Sequence, residues 1–165
     1  MAREALIAAL TFQVRTARTA EDFAAVKRLF GEYAATLGVD LSYQDFAAEV
    51  ANLPGKYAPP AGELLLAVGE GGEPLGCVAV RPLGEGRCEM KRLYVPSAAR
   101  GLGVGKALVE AIILAAAKIG YREMWLDTLP EMTTALALYR RAGFTPIASY
   151  YTTPVEGTVF LGLTL

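Results

Sequence analysis

The stretch "YVPSAARGLGVGKALVEAII", residues 94–113, sets a glycine turn between a β-branched, aromatic run and a long aliphatic one. Gly101, Gly103 and Gly105 alternate there, with Arg100 and Lys106 at the two ends. Glycine lets the backbone turn tightly and aim successive N–H groups inward, which makes a nest for an anion. The first turn of a following helix adds unpaired N–H groups and the positive end of its dipole. Strand, glycine turn and helix therefore outline a phosphate or pyrophosphate site.

Two common phosphate loops do not fit. A Walker A loop would need glycine where Arg100 stands and a hydroxyl residue where Ala107 stands. A dinucleotide fingerprint would need glycine where Lys106 stands. A magnesium-dependent nucleotide hydrolase is thereby excluded.

Working outward, three strand runs precede the turn: Glu63–Glu70, Pro74–Pro82 and Arg87–Val95, joined by the hairpin connections "GEGGEP" and "LGEG". After it come a helix to about Gly120, a strand Arg122–Asp127, a helix Glu131–Ala142, and two closing strands in "FTPIASYY" and "TVFLGLTL". Toward the N-terminus, Phe12–Ala17 alternates as a strand. Thr19 caps a helix with Glu21 and Asp22 in its first turn and Phe23, Val26, Leu29, Phe30 and Tyr33 at helical spacing. Ser42 opens a second helix, with Phe46, Val50 and Leu53 on one face and Pro54-Gly55 as its stop. Residues 1–11 read as a short helix or arm. The order β-α-α-β-β-β-α-β-α-β-β predicts an α+β domain spanning 1–165. Its seven-stranded sheet is mixed but mostly antiparallel, with helices on both faces.

Composition narrows the chemistry. The chain has 165 residues, 53% of them apolar and 20% charged, which suits one ordinary globular domain. A net charge of −1 is a poor footprint for nucleic acid. Histidine is absent, which removes Ser-His-Asp and Cys-His catalysis and imidazole metal sites. Two cysteines, Cys77 and Cys88, lie in strand-like runs and read as small buried hydrophobes rather than metal ligands or nucleophiles. The start, "MAREALIAALTF", is too short and weakly apolar for a signal peptide, and the apolar run Ala107–Ile119 carries Glu110 and Lys118. A cytoplasmic protein without membrane contact is expected.

Taken together, "CEMKRLYVPSAARGLGVGKALVEAI" and "LALYRRAGF" resemble the GNAT superfamily, the Gcn5-related N-acetyltransferases. Arg100-Gly101-Leu102-Gly103-Val104-Gly105 matches the family's central pattern, and Tyr139, Gly143 and Phe144 stand at the spacing of its later motif. The resemblance implies acetyl-CoA as co-substrate, no metal, and an amine acceptor, either a small molecule or a peptide. It also admits a homodimer. The pyrophosphate would lie on the N–H groups of Gly101, Leu102, Gly103, Val104, Gly105 and Lys106, beside Arg100. The pantetheine would pair with the strand ending Leu93-Tyr94-Val95, which in this family bulges and splays from its neighbour, and an N–H near Leu93 would polarise the thioester carbonyl.

The same resemblance implies direct attack of a neutral amine in a ternary complex. Tyr139 would protonate the leaving sulfur and Glu89 would take the amine proton, with Asp127 or a water chain as alternatives. The family's usual asparagine seven residues before the tyrosine is here Met132. A non-catalytic acyl-CoA-binding module is the other reading of this pattern. Tyr33, Tyr43, Phe46, Tyr57, Tyr150 and Tyr151 are expected to frame the acceptor side, and Asp40, Asp45 and Glu49 to attract a cationic amine.

Overall fold

Leu64, Leu65, Leu66 and Ala67 are all buried, and alternate side chains enter two different cores. A strand sends successive side chains to opposite faces, so an unbroken apolar run marks a strand covered on both sides. In a computed structural model, residues 11–165 are described. The expected N-terminal helix or arm lies, Thr11 apart, outside them.

The elements are β1 (Phe12–Thr16), α1 (Ala20–Leu37), α2 (Phe46–Ala51), β2 (Glu63–Gly69), β3 (Pro74–Gly84), β4 (Arg87–Tyr94), α3 (Val104–Ile119), β5 (Glu123–Thr128), α4 (Thr133–Ala142), β6 (Thr145–Pro146) and β7 (Val159–Thr164). Among the described residues the strands form one seven-stranded sheet in the order β1-β2-β3-β4-β5-β7-β6. Only β4 and β5 pair in parallel; the remaining neighbours are antiparallel. The parallel pair is joined through α3, as a parallel crossover requires. On one face Leu64, Leu66, Cys77 and Ala79 meet Val26, Leu29 and Phe30 of α1. On the other, Leu65, Val78 and Val80 meet Leu108, Val109 and Ile112 of α3. No described helix is long and apolar enough to cross a membrane.

Three boundaries differ from the sequence reading. The helix expected from Ser42 is a 3-10 turn over Ser42–Gln44, and α2 starts only at Phe46. Asp45 between them takes φ 56°, a left-handed conformation that aspartate tolerates and that interrupts a helix. The helix expected from Glu131 begins at Thr133, because the chain after Pro130 first closes a turn with Met132 N–H on the Leu129 carbonyl. The sixth strand, expected to run to Tyr151, is confined to Thr145–Pro146. It lies at the sheet edge, where Pro146 has no N–H for a ladder, and Tyr150 and Tyr151 instead turn inward from a loop.

The cap of α1 is built as the sequence predicts. Thr19 Oγ1 accepts the Asp22 N–H at 3.1 Å, and Asp22 Oδ2 accepts the N–H groups of Thr19 at 3.1 Å and Arg18 at 2.9 Å. Asp22 Oδ1 also meets the Arg15 guanidinium at 2.8 Å. Burial alone would raise the Asp22 pKa. The two backbone donors and Arg15 outweigh it and hold the carboxyl at about 2. A folded-state pKa below the unfolded one stabilises the fold above the unfolded value and ceases to as pH falls through the folded value. Asp22→Asn is therefore expected to lose about 2 kcal/mol at neutral pH. The gap to wild type should stay constant down to about pH 4 and close toward pH 2, as read from urea melts.

Candidate active site

β4 and β5 pair only from Arg87 opposite Glu123 to Glu89 opposite Trp125; beyond Glu89 they part. The cause lies within β4. Cys77 faces Tyr94 while Ala79 faces Lys91, so β4 holds one more residue than β3 over this interval. The surplus is absorbed at Arg92, whose φ is 61°. An arginine in this region costs roughly 1–3 kcal/mol and persists only where its surroundings hold it. Here Nε and Nη2 donate to Glu49 of α2 at 2.8 and 3.1 Å, and the guanidinium lies 5.0 Å from the Phe46 ring. The Cys77 thiol donates to the Arg92 carbonyl at 3.4 Å. Burial opposes the Arg92 charge, but the paired Glu49 more than offsets it and pushes the guanidinium pKa up.

The parting strands leave a gap of about 30 Å³, lined by Leu93 and Met90 from β4, Asp127 from β5, Tyr33 from α1, and Met132 and Tyr139. Tyr139 arrives on the buried face of α4, one turn after Leu136, and packs edge-on against Phe144 at 5.8 Å. It is 7% exposed. Burial, reinforced by the nearby Tyr33 and Asp127, pushes its pKa up, so the hydroxyl keeps its proton. Met132, in the position of the family's usual asparagine, reaches the same gap with an apolar side chain.

Strand alternation places the charged groups. Cys88, Met90, Met124 and Leu126 belong to the core beneath α3. Their sequence neighbours Glu89, Lys91, Trp125 and Asp127 project to the opposite face. Arg81 stands directly across from Glu89 in the antiparallel register, so their pairing at 2.7 Å is a cross-strand contact. Glu89 is 1% exposed. It also accepts the Tyr150 hydroxyl at 2.5 Å and lies 3.8 Å from Lys91. Burial would raise its pKa; the Lys91 charge, the Tyr150 hydroxyl and Arg81 outweigh burial and hold it below the usual carboxylate range. Lys91, lowered by burial, lies 3.9 Å from Asp127.

Over this face opens a larger cavity of about 560 Å³. One wall is the segment from Tyr43 to Tyr57, and the other is the loop carrying Tyr150, Tyr151 and Pro154. Gln44 and Lys91 line both the cavity and the gap, so the two spaces adjoin.

The glycine turn follows the C-terminal end of β4, the end at which β5 has parted from it. Gly101 and Gly103 both have φ 82°, and a Cβ at either would meet nothing within 4 Å. Gly103 caps α3 without a side-chain bond. Among the described residues, no backbone N–H from Gly101 through Lys106 donates to a backbone carbonyl outside α3, and the first bond into the helix is Ala107 N–H to the Gly103 carbonyl. This run of free donors, with open space before it, fits a pyrophosphate. Arg100 donates to the Val95 carbonyl at 3.1 Å, and Lys106 is exposed beside Glu110 at 3.9 Å. The free donors at the turn are therefore mainly those of its backbone.

Tyr139, Leu93 and Asp127 thus meet in the gap. Glu89, Tyr43, Tyr57, Tyr150 and Tyr151 line the cavity beside it. Asp40 instead accepts the Ser42 N–H, and both Glu49 oxygens are taken by Arg92, leaving Asp45 as the rim carboxylate. Phe46 lies behind the wall against Phe30. Arg81, Lys91 and Arg92 escaped the sequence reading. Adjacent cations at 91 and 92 in an apolar strand were the available signal, since alternation turns one of them inward. Both cysteines are buried with pKa values raised by burial, Cys88 to about 12. Among the described residues no cluster of His, Cys, Asp or Glu is arranged to hold a metal.

Comparison with known proteins bears on the family and the fold. An uncharacterized N-acetyltransferase of Schizosaccharomyces pombe is 44% identical over 151 residues, covering 91% of each chain. A GNAT-family acetyltransferase from Staphylococcus aureus superposes with a TM-score of 0.78 over 93% of this chain and 99% of its own, at 16% identity. A phosphinothricin acetyltransferase from Sinorhizobium meliloti, solved with acetyl-CoA, superposes at 0.71 over 94% of this chain and 89% of its own, at 20% identity. The model of the acetyltransferase (GNAT) family matches residues 23–144, and this chain belongs to that family.

Proposed function

We propose that the protein transfers an acetyl group from acetyl-CoA to a primary amine by direct attack in a ternary complex. The observation that carries this reading is the run of free N–H groups from Gly101 to Lys106 in line with the open edge of β4. Bound acetyl-CoA supplies a thioester carbonyl that is activated toward an amine. The glycine turn, with Arg100 at its entrance, binds the pyrophosphate. Leu93, Tyr94 and Val95 offer backbone groups to the pantetheine, and the N–H near Leu93 polarises the carbonyl. Glu89, ionised at the cavity wall, accepts the amine proton, with Asp127 in the gap as the alternative acceptor. Tyr139, kept protonated by burial, donates to the leaving sulfur.

Binding needs no metal in this reading. Gly103→Asp should fold, since the site is open and aspartate tolerates a left-handed backbone, yet lose acetyl-CoA binding because a carboxylate enters the nest. Isothermal calorimetry of both proteins with acetyl-CoA in the presence of EDTA checks it; unchanged binding by the variant would move the pyrophosphate elsewhere. Gly105→Asp is less diagnostic, because a Cβ there lies 2.9 Å from Leu138.

Glu89 is already ionised at neutral pH, so the rise in rate with pH follows the amine's own deprotonation. Glu89→Gln should lower kcat/KM most near pH 7 and recover part of the loss at high pH, where free amine is abundant. A pH–rate profile parallel to wild type would transfer the role to Asp127 or a water chain.

Tyr139→Phe keeps the ring and removes only the donor. We expect kcat and kcat/KM to fall together by about tenfold to a thousandfold, with the melting curve little changed. Tyr139→Ala should instead lose roughly 3–5 kcal/mol through the cavity it leaves. Full turnover by the phenylalanine variant, measured with one accepted amine, would end the general-acid assignment.

A further inference from the structure

The hydrogen-bonding groups around the larger cavity are unevenly matched. The carboxylate oxygens on its inner wall already accept. Glu89 Oε1 takes Arg81 Nε at 2.7 Å and Oε2 takes Tyr150 at 2.5 Å. Both Glu49 oxygens take Arg92. Asp127, at the gap, uses Oδ2 for Tyr151 at 2.6 Å and keeps Oδ1 without a hydrogen bond. Donors, by contrast, are in surplus. Arg81 uses only Nε, so its terminal nitrogens have no protein partner among the described residues. Lys91 Nζ makes one long bond, to Gln44 at 3.4 Å, while its two carboxylate neighbours stand beyond hydrogen-bond distance at 3.8 and 3.9 Å. The Tyr57 hydroxyl, on a residue only 2% exposed, makes no hydrogen bond, although the Glu49 carboxylate is near enough to add to burial in pushing its pKa up. Of these only the Tyr57 hydroxyl is a fully buried donor, a kind normally matched; the Arg81 side chain is 27% exposed, so its terminal nitrogens open to the cavity. At the rim, exposed Asp45 and Lys56 are of opposite sign.

Charge points the same way. Around the junction of cavity and gap, Arg81, Lys91 and Arg92 are balanced by Glu49, Glu89 and Asp127. A neutral zwitterion enters without disturbing that balance, whereas a phosphate dianion would press against Glu89 and a lone ammonium would leave the surplus donors unmatched.

We infer that the acceptor is a small amine that itself carries a carboxylate, an aromatic or aliphatic α-amino acid. Its carboxylate sits on the terminal nitrogens of Arg81 and on Lys91. Its amine points to Asp127 Oδ1 and the gap, and its side chain lies among Tyr43, Leu83 and Pro154. A protein lysine or the N-terminus of a long peptide has no carboxylate at this distance and is disfavoured. In the reaction, the amine nitrogen bonds to the acyl carbon as the carbon–sulfur bond breaks. The ammonium first gives one proton to solvent; on attack the nitrogen passes a second to Asp127, the alternative to Glu89, and the sulfur takes one from Tyr139, giving an N-acetyl amino acid and CoA thiol. The reaction rests on the acetyltransferase reading; the binding preference does not.

Two measurements separate them. Thermal shift with CoA present compares L-phenylalanine, L-leucine and L-methionine with phenethylamine and L-phenylalaninamide. Free-thiol release with acetyl-CoA gives kcat/KM for the same set and for a lysine-containing peptide. The amino acids should raise the melting temperature and the uncharged-end analogues should not. The kcat/KM for phenylalanine should exceed that of its amide by about tenfold or more. In Arg81→Gln the ratio should collapse toward one, with Arg81→Lys keeping part of it; any general effect on Glu89 lowers both substrates and leaves the ratio unmoved. The inference is overturned if amide or peptide performs as well as the amino acid, if the ratio survives in Arg81→Gln, or if none of the three amino acids shifts a protein that binds acetyl-CoA. Amino-acid binding without thiol release from any acceptor would leave this inference standing and remove the acetyltransferase reading.

Discussion

One extra residue in β4 governs the site. Because Arg92 takes a left-handed backbone, the strand cannot stay in register with both neighbours past Glu89, and β5 separates from it. The gap that results is a gap between two strands of one sheet, so groups from both faces reach it. Tyr139 comes from the α3 and α4 side, and Lys91 and Asp127 from the other. Bulges are commonly found beside active sites for this reason: they re-aim a strand at local cost. The cost here is met by the fork between Arg92 and Glu49 and by the rings around it. α2, a helix of six residues with no fully buried side chain, thereby holds the bulge in place.

The polar face of the sheet is built against the usual preference for burial of apolar groups. The strip formed by Leu64, Leu66, Cys77 and Ala79 is apolar beneath α1 and becomes charged at Arg81, Glu89 and Lys91. Buried ion pairs are weak contributors to stability, because desolvation consumes most of the Coulomb gain. Their net effect shows in the ionisation states. Glu89 remains a carboxylate although burial favours its neutral form, and the tyrosines that cap Glu89 and Asp127 have their pKa values pushed up, by burial first and then by the carboxylates they donate to. A carboxylate and a set of donors are thus held charged and oriented beside a space large enough for a small molecule.

The glycine turn is a second, independent device. What it offers is free backbone N–H groups, so it needs conformation rather than side-chain chemistry. Gly101 and Gly103 supply the left-handed residues and leave the space before them clear. The alignment of its donors with the open edge of β4 follows from the same strand leading into both.

Features set by a few neighbouring residues were legible in the sequence. The turn requires glycine at φ 82°, the α1 cap joins residues three apart, and the periodicity of Leu64–Ala67 announces a sheet covered on both faces. From these the order of elements along the chain and the glycine turn could be read, while Tyr139 stood out only through the resemblance of "LALYRRAGF" to the family's later motif. The contacts that shape the acceptor side join residues far apart in the chain. Arg92 meets Glu49 across 43 positions and Tyr150 meets Glu89 across 61. Whether a carboxylate such as Glu49 faces an amine or is already bound to an arginine depends on which strand stands opposite and on where a bulge falls. Those are properties of register and packing, and only the folded chain decides them.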